Sequence, residues 1–251
     1  MTERAKVVAV VQARMSSERL PGKVLMPLAG RPALWHIIER LKRVSQIDEI
    51  IIATSDRTDD DPIEALVSWL NTPGVRLFRG SRDDVLSRFY LALAQTEAEV
   101  VVRITGDTPL ICVEHLERML THLLQSDAIG VDGHFARTGL TLGFGSEAYR
   151  VSALVDAHLL AMRPEEREHV TLFIKERPQV YPVDYLKPDP ALCSDFRLTM
   201  DYPEDYALLR EIYDALYRPG DIVDCRRVLE WLHRRPDLVE RNAHCLQRSA
   251  R

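Results

Sequence analysis

No apolar run in this 251-residue chain approaches the roughly 20 residues that a helix needs to cross a bilayer, so membrane insertion is not expected. A signal peptide is not expected either. Met1-Thr2-Glu3-Arg4-Ala5-Lys6 is short and charged, and the apolar run behind it stops at Gln12. Cysteine is sparse. Cys112, Cys193, Cys225 and Cys245 lack metal-ligand spacing, so reduced thiols and a cytoplasmic location are expected. Excess basic charge is absent as well: 33 Lys and Arg face 38 Asp and Glu, a net charge of -5. That balance argues against a general nucleic-acid binder and leaves room for a local basic pocket. Neither a Walker A spacing nor a Rossmann dinucleotide fingerprint occurs. Without repeats, low-complexity segments or an obvious linker, residues 1–251 are expected to form one domain.

What is present begins with Val7-Val8-Ala9-Val10-Val11, a buried strand by composition. It opens into Gln12-Ala13-Arg14-Met15-Ser16-Ser17-Glu18-Arg19-Leu20-Pro21-Gly22-Lys23, a loop with three cations, two hydroxyls and a Pro-Gly turn. Such a loop suits a nucleoside triphosphate. Backbone N–H groups can wrap phosphates where it curls, and Arg14, Arg19 and Lys23 can offset their charge.

Strand and helix patterns then alternate. Helices are expected over 34–44, 60–70, 83–96 and 113–124, and strands over 49–53, 75–78 and 100–104. This order implies an α/β fold, a mainly parallel Rossmann-like sheet flanked by helices. Ligands bind such sheets outside the carboxyl ends of the strands, where both the 12–23 loop and Asp107 fall. Beyond residue 130 glycines crowd the chain. Further helices are expected over 152–162, 164–176 and 203–216, strands over 180–186 and 196–200, and a charged tail with frayed final residues.

Two carboxylates stand out. Asp107 ends an apolar strand ahead of Thr108-Pro109, where it suits either a Mg²⁺ ligand or a turn or cap. Asp201 precedes Tyr202-Pro203-Glu204-Asp205, where metal binding and helix capping again compete. Asp83-Asp84 reads as a pair of helix-start acids favoured by the macrodipole. Arg103 lies inside a strand and can pair with an acid.

The 12–23 run resembles the signature of the cytidylyltransferases that make CMP-activated acidic sugars. The nearest likeness is the spore-coat polysaccharide branch, with CMP-Kdo and acylneuraminate synthetases as wider relations. Further matching segments follow in order. They are Phe78-Arg79-Gly80-Ser81 with Asp83-Asp84-Val85-Leu86, then Val102 to Leu110, His169-Val170-Thr171, and Arg197 to Asp205. The resemblance implies a nucleotide-diphospho-sugar transferase (GT-A-like) architecture with three regions. Residues 1–125 would form the nucleotide-binding half, 126–200 the acceptor-binding and dimerisation region, and 201–251 the C-terminal helices.

It also implies an activity: Mg²⁺-dependent transfer of CMP from CTP to an acidic, nonulosonic-acid or Kdo-like sugar, with pyrophosphate released, in a homodimer. By this resemblance Asp107 and Asp201 hold the metal, and Arg14, Lys23 and Asp107 are catalytic. Ala13, Arg14, Ser17, Arg19, Lys23, Arg79 and Gly80 bind nucleotide. Glu147, His169 and Arg137 bind the acceptor, with His134 and Arg167 as further candidates. Two departures stand out. Tyr202 replaces the usual Thr, and Gly145 replaces the Asp of the usual Gly-Leu-Asp-x-Glu segment at Gly143 to Glu147. Two other readings stay open: a nucleotide-sugar-dependent glycosyltransferase, and a catalytically inactive nucleotide-binding subunit.

Overall fold

The computed structural model describes residues 4–247. The first half runs β1 (Val7–Gln12), β2 (Pro27–Leu28), β3 (Arg31–Pro32), α1 (Ala33–Leu41), β4 (Glu49–Ser55), α2 (Asp61–Leu70), β5 (Val75–Gly80), α3 (Val85–Leu93), β6 (Val100–Thr105) and α4 (Val113–Gln125). The second half runs β7 (Gly130–Asp132), α5 (Phe135–Thr138), β8 (Glu147–Arg150), α6 (Val151–Leu160), α7 (Pro164–Glu168), α8 (Leu172–Lys175), β9 (Val183–Asp184), α9 (Pro203–Leu216), α10 (Cys225–His233) and α11 (Pro236–Val239).

Seven strands form one sheet in the order β5-β4-β1-β6-β8-β7-β9. The four on the β5 side are parallel, and β8 pairs antiparallel with both β6 and β7. Strand side chains alternate between faces, and both faces here are apolar. Val7, Ala9 and Val11 pack with Leu34, Ile37, Leu116 and Leu120 on one side. Val8 and Val10 pack with Phe89, Leu154 and Ile174 on the other. Each fully buried Val, Leu or Ile contributes roughly 1.5–3 kcal/mol, so this sandwich dominates the stability. A third core sits beyond the sheet, where Leu208, Ile212 and Leu229 of the C-terminal helices cover Leu28, Leu110, Phe144 and Met200.

From β1 the chain winds outward through β4 to β5, then crosses back to place β6 on the other side of β1. The carboxyl ends of β1 and β6 therefore flank the topological switch point, where open α/β sheets form their ligand crevice. The turn after β6 approaches the loop after β1 closely. A Cβ on Gly106 would lie 3.0 Å from both the Gln12 carbonyl oxygen and Val24 Cγ1.

Three sequence expectations change. The helix over 164–176 is two short helices broken at His169-Val170-Thr171, because Val170 turns into the core and the Thr171 hydroxyl donates to Glu147. The strand over 180–186 shrinks to Val183–Asp184, beside Pro182, which has no N–H to give a ladder. Residues 196–200 join no strand of the sheet. Their backbone instead donates to the Leu142 and Asp107 carbonyls, which ties the Asp201 segment to the Asp107 turn. The expectation of frayed final residues falls at 248–251, outside the described residues.

Candidate active site

The loop after β1 is shaped by its own backbone. Ser17 and Gly22 amides both donate to the Met15 carbonyl, at 2.9 and 2.8 Å, and Gly22 takes φ +71, a left-handed conformation open to glycine. Asp60 accepts the Met15 amide at 2.7 Å and anchors the loop to the end of β4. Lys23 follows Gly22 directly, on a short 3₁₀ turn, and points back across the β1–β6 crevice.

Its Nζ lies 2.8 Å from Asp107 Oδ2 and 2.9 Å from Asp201 Oδ1. Two carboxylates remote in sequence thus converge on one cation. Burial disfavours the charge on Lys23, yet the two carboxylates outweigh it and raise the ammonium's pKa. Burial likewise opposes ionisation of Asp107, and the Lys23 ammonium more than offsets it, so the carboxyl stays below its usual range.

Capping of the two following helices falls to neighbours. Helix α4 begins at Val113 with Cys112 as its N-cap, so Asp107 caps nothing there. Asp205 accepts the Asp201 and Tyr202 amides, at 2.9 and 3.0 Å, ahead of α9. That frees the Asp201 side chain for the crevice. Arg197 holds Asp201 Oδ2 at 3.1 Å and is itself fixed on Asp205. Arg19 Nη2 adds a third cation, 3.0 Å from Asp201 Oδ1. Tyr202 supplies a ring beneath Arg19, with 4.6 Å from guanidinium carbon to centroid. The departure at this position therefore builds a cation–π platform beside the carboxylate.

Two cavities meet here. The smaller, about 270 Å³, is lined by Arg14, Ser17, Arg19, Lys23 and Gly106 among others. The larger, about 630 Å³, takes in His134, Arg137, Glu147, His169, Lys175 and Tyr185. Thr105, Asp107 and Asp201 line both. Arg14 is exposed at the smaller cavity.

A buried charge cluster floors the larger cavity. Lys175 Nζ bridges Asp132 at 2.7 Å and Glu147 at 2.8 Å, and Arg103 reaches Glu147 at 3.1 Å. Burial opposes charge on Glu147, but Lys175 and Arg103 hold it far below the usual carboxylate range. Burial and the Glu147 charge push Asp132 the other way, up. Burial also lowers the His134 pKa. Arg137 lies over the Tyr185 ring at 5.6 Å.

Arg14, Ser17, Arg19, Lys23, Asp107 and Asp201 are thus brought together, and Glu147, His169, His134 and Arg137 share the second cavity. Ala13 is core, with its amide donating to Ala53. Arg79 and Gly80 line neither cavity. Arg79 pairs with Asp61 and Glu64 and donates to the Ser55 and Arg57 carbonyls. Arg167 pairs with Asp84, which caps α3 through the Ser87 amide, and lines neither cavity. Arg103 pairs with an acid as its strand position suggested. At Gly145 an added Cβ would lie 2.7 Å from the Gly133 carbonyl oxygen, so the backbone leaves no room for the Asp of the usual segment. Asp132, Thr171 and Lys175 escaped sequence reasoning. Lys175 closes a four-residue helix, and nothing local marks it as facing a cavity.

Among the described residues no three His, Cys, Asp or Glu converge on a metal position. Asp107 and Asp201 supply two carboxylate oxygens to one point, the number Mg²⁺ takes when substrate phosphates and water complete its shell. The donor set fits that ion.

The profile of the cytidylyltransferase family matches residues 8–219. An uncharacterized protein, MJ1063, of Methanocaldococcus jannaschii is 36% identical over 249 residues, covering 98% of each chain. The spore coat polysaccharide biosynthesis protein SpsF of Bacillus subtilis is 34% identical over 245 residues, 94% of this chain and 98% of that one. Among solved structures, a cytidylyltransferase from Leptospira borgpetersenii superposes with a TM-score of 0.85 at 26% identity. The match covers 98% of this chain and all of that one.

Proposed function

The chain belongs to the cytidylyltransferase family of nucleotidyltransferases, and on that premise we propose that it moves CMP from CTP to a hydroxyl of an acidic sugar, releasing pyrophosphate. The observation that carries this reading is the meeting of the two cavities at Asp107 and Asp201. A triphosphate in the smaller cavity, beside Arg14, Arg19 and Lys23, would present its α-phosphate at that junction to an acceptor in the larger one. The acceptor oxygen forms the new bond to the α-phosphorus and gives up its proton to water, while the bond from the α-phosphorus to the oxygen bridging to the β-phosphate breaks and pyrophosphate carries away the bonding pair.

Arg14, Arg19 and Lys23 bind the β- and γ-phosphates and offset the charge that accumulates on pyrophosphate. Arg197 orients Asp201 through its second oxygen. Glu147 and His169, with Arg137, position the acceptor's hydroxyls and carboxylate, and the Lys175 bridge fixes Glu147. Much of the acceleration comes from this positioning. Asp107 and Asp201 would hold Mg²⁺, which when bound polarises the α-phosphate and orients the reacting oxygens.

The likeness to a spore coat polysaccharide biosynthesis protein supports a role in surface polysaccharide or glycoconjugate synthesis. A homodimer is part of the same reading. Leu159, Leu160 and Met162 expose apolar surface in the region expected to dimerise, and sedimentation measures the assembly. No helix among the described residues is long and apolar enough to cross a membrane. A cytoplasmic location is proposed from cysteine usage.

The test is pyrophosphate release with CTP, UTP, ATP and GTP against a panel of acidic sugars, with and without Mg²⁺. Release that is largest for CTP and needs both acid and metal supports the reading. Transfer from a finished nucleotide sugar, or nucleotide binding without turnover on any acceptor, overturns it.

A further inference from the structure

Lys23 Nζ stands at the one point where Asp107 Oδ2 and Asp201 Oδ1 converge, 2.8 and 2.9 Å away. A divalent ion that used both oxygens would take the two contacts that now hold the ammonium. The two cations therefore exclude each other. We propose that Lys23 is the resident cation of this carboxylate pair and competes with the divalent metal, so that the metal enters only when a triphosphate draws Lys23 away. This rests on the assignment of Asp107 and Asp201 as the metal carboxylates.

Three features support a residue built to move. Lys23 rides a flexible four-carbon stem and lines the smaller cavity beside Arg14 and Arg19, so phosphate oxygens there offer it a second seat. Arg19 leans on the same Asp201 Oδ1, at 3.0 Å, while its Nη1 is buried with no hydrogen-bond partner. That donor gains a partner when a phosphate oxygen arrives. Asp201 does not depend on either cation for its orientation, because Arg197 grips Oδ2 and is locked onto Asp205. The carboxylate stays aimed when Lys23 and Arg19 leave. The free protein then binds divalent metal weakly, and metal and triphosphate bind with strong mutual coupling.

The experiment is Mn²⁺ binding followed by electron paramagnetic resonance of the free ion, with no nucleotide present. Lys23→Gln is expected to bind Mn²⁺ about tenfold tighter than wild type, and Lys23→Arg, which keeps the cation, to stay within about threefold of wild type. Equal affinity for wild type and Lys23→Gln overturns the proposal, as does Lys23→Arg binding as tightly as Lys23→Gln. Should Lys23→Gln fail to fold, Arg19→Gln removes the other cation on Oδ1 and is expected to bind Mn²⁺ about threefold tighter than wild type, with no gain counting against competition.

A second arm adds the non-reacting α,β-methylene analogue of CTP. Wild type is expected to bind Mn²⁺ tightly there, and Asp107→Asn about tenfold more weakly. No loss in Asp107→Asn removes the metal assignment and this proposal with it. A loss there, with wild type and Lys23→Gln equal in the first arm, removes only the Lys23 competition.

Discussion

Lys175 Nζ lies 2.8 Å from Glu147 Oε1 and 2.7 Å from Asp132 Oδ2, so one ammonium balances two nearly buried carboxylates at the floor of the larger cavity. Deleting it leaves charge in a site with little water. Lys175→Met is expected to destabilise the protein by roughly 3 kcal/mol, in the range for removing one partner of a buried ion pair. Urea denaturation at pH 7 measures this. The same variant is expected to raise the KM for acceptor and leave the KM for CTP near wild type, since Lys175 lines only the larger cavity, the one proposed for the acceptor.

Asp107→Asn and Asp201→Asn are each expected to lower kcat by about a hundredfold or more, some 2.7 kcal/mol of transition-state stabilisation. Their circular dichroism should stay native. Asp201→Asn also loosens Arg19 and Arg197, so its melting temperature is expected to drop further than that of Asp107→Asn. Wild-type turnover from both variants at limiting Mg²⁺ would remove the metal assignment.

Lys23→Ala tests the phosphate contact. Calorimetry is expected to show a larger loss of affinity for CTP than for CMP, because the proposed role sets its charge against the β- and γ-phosphates. An equal loss for the two nucleotides contradicts that role.

Gly106→Ala probes the close approach of the two site loops. The added methyl meets backbone at Gln12 and the Val24 side chain, each at 3.0 Å. Relief requires the Asp107 turn to shift, and overpacking of this kind costs roughly 1–3 kcal/mol. Both the melting temperature and kcat are expected to fall.

Acid stability follows from two buried histidines. Burial lowers His36 and His115 to about 4, from the ordinary 6.5. Their folded forms resist a proton that the unfolded chain accepts, so the stabilisation is full above pH 6.5 and is lost as pH falls from 6.5 towards 4. Each shift corresponds to roughly 3 kcal/mol across that window. His115 is the cleaner test, since neither ring nitrogen has a hydrogen-bond partner. His115→Leu is expected to leave stability at pH 7 unchanged or higher, and to lose roughly 3 kcal/mol less between pH 6.5 and 4 in urea titrations. A pH profile identical to wild type overturns this.

Much was settled by sequence. Apolar runs fixed the central strands because a strand buried on both faces must be apolar throughout, as Val7 to Val11 is. The Pro-Gly turn and its cations marked the loop because turn chemistry and charge are local properties. Asp107 and Asp201 were visible as carboxylates at the ends of two segments. Whether they cap the following helices was not, since that turned on Asp205 taking the helix amides and on Cys112 starting α4. Only the tertiary structure brought Lys23 between aspartates 84 and 178 residues away, paired Arg79 with Asp61 and Glu64, and set Lys175 beneath the larger cavity. Ion pairs form at a few ångströms in space and leave no periodicity along the chain. The sequence therefore determined which charges this protein carries and in which strand-end loops, and the packing of the sheet decided which of them meet.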